Sequence, residues 1–229
     1  MYRLYHIVRY VLIGLTLVFL LNGCAIYDRI FGKTEDKIPE ELMSEGMDRF
    51  EKGNYSGAIE DFQAIRDRYP YNKLAITAEL KIADSLYNRS EYEAAYDAYD
   101  EFEKLHPKDN YIPYVIYQKG MCHFRQVKSI DRDQTPTIKA REEFERLIKR
   151  FPRDVYSNSA RKNLRECLIS LAKYELYVGR YYFKMGEYKA AMNRFRYIIE
   201  NYPDMGQYHE ALEYIGRCKE RLAEASSSP

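Results

Sequence analysis

GNYSGAIEDFQAIRDRYP, Gly53 to Pro70, carries a spaced frame: Tyr55, then Ala58, Phe62 and Pro70. The frame recurs as Tyr92, Ala95, Tyr99 and Pro107, as Ala140, Phe144 and Pro152, and as Tyr188, Ala191, Phe195 and Pro203. Self-similarity at a period of this length marks stacked repeats, each unit too small to bury its apolar face alone. Within the quoted stretch Ala58, Phe62 and Ile65 fall at i, i+4 and i+7, one face of a helix, with Glu60, Asp61, Arg66 and Asp67 elsewhere around it. The small Ala lets a partner helix come close, and the aromatic fills the space beyond. Pro70 ends the helix, because the residue before a proline is driven out of the helical region.

A second helix is expected upstream of each frame. Its small residue is Gly46, Ala83 or Gly179, each 12 residues before the frame Ala, and Gly120 stands 20 before Ala140. Small residue, aromatic, Ala, aromatic and Pro in this order resemble the tetratricopeptide repeat, a pair of antiparallel helices of about 34 residues. The expected fold is all-α: a tetratricopeptide (TPR) superhelical solenoid of four helix pairs plus a C-terminal helix. Repeats are placed near 39–72, 76–109, 113–154 and 158–205, with a capping helix at 208–223 and a disordered tail at 225–229. Pro-to-Pro spacings of 37, 45 and 51 locate two irregularities. The third copy holds SIDRDQTP (Ser129 to Pro136), whose Asp and Pro content reads as a loop. The fourth holds CLISLAKYELYV (Cys167 to Val178), which has no breaker and so lengthens its helix. Fourteen extra residues are close to four turns at about 3.6 per turn, so the apolar face stays in register.

Residues 1–23 read as an export signal. Arg3 and Arg9 precede the apolar run Tyr10 to Leu21, which is shorter than the roughly 20 residues of a membrane-spanning helix. Leu21-Asn22-Gly23-Cys24 resembles a lipoprotein lipobox, with Asn22 departing from the usual residue, so Cys24 is the expected lipid attachment site. Three acyl chains there would anchor firmly, where one chain alone binds marginally. Ala25 resembles the residue found where such proteins are sent on to the outer membrane. Residues 24–38 read as a lipidated tether.

Charge is divided along the chain although its net is only +1. Residues 35–104 carry 18 acidic and 9 basic side chains, whereas 139–196 carry 15 basic and 7 acidic. Such a division suits two surfaces for different partners, and equally two solvated faces of drifting composition. The near-zero net gives no reason to expect nucleic acid. Twenty-four Tyr and 10 Phe supply the helix interfaces in the absence of Trp.

Cys122, Cys167 and Cys218 each lie 15 residues past a frame proline, and Ser85 takes the same offset from Pro70. Equivalent positions on successive units are too far apart for a disulfide, which needs Cα atoms within about 7 Å. Three buried free thiols are therefore expected. His6, His106, His123 and His209 are scattered, and none pairs with Cys or Glu at ligand spacing. No phosphate-binding loop or nucleophile elbow appears. The chain is read as a scaffold, with no enzyme activity, cofactor or metal.

Tyr114-Val115-Ile116-Tyr117-Gln118-Lys119-Gly120, Asp131-Arg132-Asp133 and Leu171-Ala172-Lys173-Tyr174-Glu175 go beyond a general repeat. With Val178, Tyr181-Tyr182, Asn193-Arg194 and Tyr202-Pro203-Asp204, they resemble the BamD family, the TPR lipoproteins of the bacterial outer-membrane β-barrel assembly (Bam) machinery. The resemblance implies a lipid-anchored, periplasm-facing outer-membrane protein. Its C-terminal repeats would bind the POTRA domains of BamA, and its N-terminal repeats would receive unfolded outer-membrane protein clients. Arg194 matches the family's Asn-Arg element, which implies pairing with a BamA carboxylate. Arg180, Lys184 and Tyr188 are the other expected partner-binding residues, and Asp84 and Tyr87 the expected client groove. This chain has a shorter third-repeat loop and ends soon after residue 223, which puts its contacts with other Bam lipoproteins in question. The alternative is a pilotin-like TPR lipoprotein for secretin and type IV pilus assembly.

Overall fold

The computed structural model describes residues 37–227. The expected signal segment, Cys24, all of the tether but its last two residues, and the end of the tail lie outside them. The described residues form nine helices: α1 (Pro39–Glu51), α2 (Tyr55–Arg68), α3 (Lys73–Asn88), α4 (Tyr92–Leu105), α5 (Ile112–Phe124), α6 (Thr135–Arg150), α7 (Val155–Lys184), α8 (Tyr188–Asn201) and α9 (Tyr208–Ser227). Each packs on the next in sequence, which is the arrangement of a TPR solenoid.

The frame aromatics set the spacing within each pair. A Cβ built on Gly46, Gly120 or Gly179 would lie 2.6, 2.5 or 2.5 Å from the ring of Phe62, Phe144 or Phe195. Glycine at these sites lets a buried ring lie directly against the helix backbone. The second pair departs from this: Ala83 stands in the glycine's place and Tyr99 in that of Phe. A buried phenol needs a hydrogen-bond partner, and Tyr99 donates to Asp84 Oδ1 at 2.7 Å.

The turns inside three pairs are built alike. Asn54 N–H donates to Arg49 O at 2.8 Å, Glu91 to Leu86 O at 3.0 Å and Glu187 to Tyr182 O at 3.0 Å. The residue before each donor, Gly53, Ser90 or Gly186, has positive φ. This is the Schellman closure, which satisfies the last carbonyls of α1, α3 and α7. After each turn the frame Tyr meets an aromatic of the preceding helix edge-on: Phe50–Tyr55, Tyr87–Tyr92 and Phe183–Tyr188, all with ring centroids 5.4 Å apart.

The third pair is joined by a longer loop, residues 125–134. Thr135 and Pro136, read from the sequence as loop, instead open α6, where proline's missing N–H costs nothing. Gln134 is buried and holds the loop: its Nε2 donates to Ser129 O at 3.2 Å and Arg132 O at 3.0 Å, and its Oε1 accepts from Thr137 at 3.1 Å. Asp133 accepts from Thr135 N–H at 3.0 Å.

Three apolar clusters run along the array. One joins α1–α3 through Leu42, Phe62 and Ile82; the second runs from Leu80 on α3 to Cys167 on α7; the third runs from Leu171 on α7 to Cys218 on α9. The 30-residue α7 is therefore the spine shared by the last two. Cys122, Cys167 and Cys218 are buried and free, as the spacing predicts. The last helix runs to Ser227, past the expected end at residue 223.

Candidate partner-binding surfaces

The expected partner-binding residues Arg180, Lys184, Tyr188 and Arg194 lie on the fourth helix pair. Arg194 sits on α8 and reaches back to α7, where its Nη1 donates to Glu175 Oε2 at 3.1 Å and less closely to Oε1 at 3.4 Å. Burial works against the Arg194 charge, but the Glu175 carboxylate outweighs it and raises the guanidinium pKa. Among the described residues only Nη1 is engaged, and the side chain is 43% exposed, against 12% for Glu175. The remaining edge of the fork, Nε with Nη2, has the geometry that receives a carboxylate in two parallel hydrogen bonds.

The other expected residues of this face differ in availability. Arg180 is ion-paired with Glu210 of α9 and lies over the Tyr214 ring, so it helps hold the capping helix. Lys184 is exposed and makes no ion pair among the described residues. Tyr188 is half-buried against Phe183, where it repeats the roles of Tyr55 and Tyr92. Tyr177, Tyr181 and Met185 are exposed at successive turns of α7.

In the N-terminal half, Tyr87 is half-buried and accepts a hydrogen bond from Arg125 Nε at 3.0 Å. Asp84 lies differently. It is 6% exposed, its Oδ1 accepts from both Tyr99 and Tyr114 at 2.7 Å, and its Oδ2 accepts from Lys81 at 2.9 Å. The structure thus buries Asp84 in the packing of α3, α4 and α5. Burial and then the Asp84 charge hold the Tyr99 and Tyr114 phenols well above their usual pKa.

Two sets of residues in the resembling motifs have functions that the sequence reading did not separate. Glu175, in the Leu171 to Glu175 motif, orients Arg194. Lys119, in the Tyr114 to Gly120 motif, is a lysine only 3% exposed. It is ion-paired with Asp100, with Glu103 at 3.2 Å and with Glu143 at 3.6 Å, and lies over the Tyr96 ring. Arg146 closes the cluster onto Glu103 at 2.6 Å and Glu143 at 2.5 Å. A lysine one residue before the packing glycine is the available signal, because that position turns toward α4 and α6.

The comparisons with known proteins bear on what these surfaces serve. A family model described as outer membrane lipoprotein, YfiO, matches residues 35–228. The chain belongs to this family. The outer membrane protein assembly factor BamD of Rickettsia prowazekii is 33% identical over 171 residues, covering 75% of this chain and 68% of that one. The protein of the same name from Neisseria meningitidis serogroup B is 28% identical over 225 residues, covering 93% and 84%. That of Caulobacter vibrioides is 30% identical over 178 residues; the chain spans 58% of its length. The TPR2AB domain of yeast Sti1 overlays with a TM-score of 0.46 at 15% identity, covering 80% of this chain and 70% of that one. Membership makes the protein an outer membrane lipoprotein, and it is not an enzyme.

Proposed function

We propose that the chain is an outer-membrane protein assembly factor and a member of the Bam complex. In this reading a lipid on Cys24 holds it to the outer membrane, the TPR array faces the periplasm, and the fourth helix pair binds BamA. The observation that carries the binding surface is Arg194, half-exposed and fixed at one nitrogen by Glu175 with its bidentate edge open. An acidic side chain on a POTRA domain supplies the complementary group. Lys184 adds local positive charge, while Arg180 and Tyr188 shape the surface by holding α9 and the α7–α8 turn in place. On the N-terminal half, the Tyr87–Arg125 pair is the part of the expected client groove that a client meets. Asp84 supports it from beneath by fixing Tyr99 and Tyr114.

The test is co-purification with BamA from detergent-solubilised membranes. Arg194→Glu is expected to lose most of the recovered BamA while the circular dichroism spectrum stays unchanged. Full recovery at moderate salt would remove Arg194 from the interface. Recovery of a secretin without BamA would replace this function with the pilotin one.

A further inference from the structure

The turns between successive helix pairs lie along one edge of the array, and the turns within pairs lie along the other. The two edges differ in what they expose. On the between-pair edge, Ile38, Tyr71, Leu105, Tyr111 and Val155 are exposed, Tyr71 fully and Val155 at 69%. On the within-pair edge, Tyr181 and Met185 at the end of α7 and Ile138 in the first turn of α6 are the large apolar residues exposed. Single exposed apolar side chains need no explanation. Five along one edge, one ahead of α1 and four at the first three turns, form a pattern.

The between-pair edge also carries cations. Lys73, Lys108, Lys149 and Arg153 flank these turns, are exposed, and make no ion pair among the described residues. The turns are also joined to one another. Tyr69 O–H donates to Lys37 O at 3.0 Å and Arg150 Nη2 to Pro107 O at 3.4 Å. The described chain begins on this edge, at Lys37 beside the Tyr69 turn. A tether arriving from the membrane meets the fold here.

We infer that this edge, centred on Tyr71, Tyr111 and Val155, rests on the anionic phospholipid surface of the membrane. Tyrosine rings suit the headgroup level, with an apolar body and a polar tip. Unpaired Lys and Arg side chains beside them are drawn to anionic headgroups, and the pull fades within a Debye length, so only cations at the edge itself count. Lipid on the tether and a weak edge contact then act as two linked signals, which together fix an orientation that neither gives alone. The α8–α9 turn exposes no large apolar residue, and the face around Arg194 is left free for protein partners.

This inference rests on the reading of Cys24 as lipidated. The test uses the full chain in vesicles of phosphatidylcholine with about a quarter phosphatidylglycerol, doped with a headgroup spin-labelled lipid. A thiol-reactive fluorophore is placed at Tyr71→Cys, Val155→Cys or Met185→Cys; the three native thiols are buried and stay unlabelled. Labels at 71 and 155 are expected to lose most of their fluorescence and the label at 185 almost none. Adding Lys73→Glu, Lys108→Glu and Arg153→Glu to the Val155→Cys chain is expected to restore it. Equal quenching at all three positions, or none at any, overturns the inference, and loss of access at 71 and 155 without quenching would assign the edge to a protein neighbour instead. Lipidation is read separately from the mass of the purified chain. If it is absent, the same chains carrying Cys24→Ser are held through an N-terminal hexahistidine on a nickel-chelating lipid, so the two failures are told apart and no further thiol takes the label.

Discussion

Ser90 occupies the left-handed position at the end of α3, with φ of 63°, where the equivalent turns use Gly53 and Gly186. A side chain pays a steric cost there that glycine does not. Ser90→Gly is expected to raise stability by about 0.5–1 kcal/mol, the reverse of the usual glycine penalty, read as a higher midpoint in urea at unchanged slope. The native thiols make a second residue-scale prediction. Burial pushes Cys122 and Cys167 up to about 12, and raises Cys218 by a lesser amount. Native protein at neutral pH is expected to take up a maleimide at none of them within minutes, and denatured, non-reduced protein at all three; uptake by only one after denaturation would mean a disulfide. Spacing alone placed these cysteines correctly, since equivalent positions in a solenoid share burial and remain apart. Asp84 went the other way. Its neighbours in sequence give no sign that Tyr99 and Tyr114, 15 and 30 residues on, will bring their phenols to it. A charge is read as exposed unless its partner is visible, and a partner supplied by tertiary packing is not.

At the level of elements, the helix pairs were legible because a ring facing a glycine leaves a fixed spacing in the sequence. The 12-residue interval from Gly46 to Ala58, or Gly179 to Ala191, is the length of one helix face, a Schellman turn and the next helix start. The site cluster on α4, α5 and α6 was not legible, because its members come from three helices. There, Lys119 holds Asp100, Glu103 and Glu143 together at low exposure. Burial pushes the Glu103 carboxyl up, but hydrogen bonds and charge from Arg146 and Lys119 outweigh it, so its pKa falls below 4.5. Asp100 is lowered below 3.8 in the same way, by Lys104 and Lys119 against burial. A lowered carboxyl pKa contributes stability that is complete above the unfolded value and is lost as pH falls through the folded one. The cluster therefore stabilises fully above pH 4.5 and releases that stability on acidification below it. Lys119→Met removes the central cation and leaves buried carboxylates partly uncompensated, a change that costs about 3 kcal/mol when a partner is lost. The variant is also expected to unfold at a higher pH on the acid side than the parent, in a circular dichroism titration. An unshifted acid limb would mean that Arg146 and Lys104 carry the carboxylates without Lys119.

For the molecule as a whole, α7 decides whether the array acts as one body or two. Its first half, to Cys167, belongs to the middle cluster, and its second half, from Leu171, to the C-terminal one. An extension of nearly whole turns keeps both faces in register, so the fourth pair is set at a fixed distance and rotation from the third. That arrangement separates the edge on the membrane from the face around Arg194 while keeping them mechanically joined. Lys173 is exposed at the junction of the two clusters, so a substitution there tests the backbone with little loss of packing. Lys173→Pro removes one helical hydrogen bond and clashes with the preceding turn, at a cost of about 3 kcal/mol. Hydrogen exchange is expected to quicken in α8, α9 and the second half of α7, while α1 to α6 keep their protection. BamA recovery should fall with it, although Arg194 and Glu175 are both retained. Uniform quickening across all helices would instead show that the array unfolds as a single unit and that α7 is one packed helix among equals.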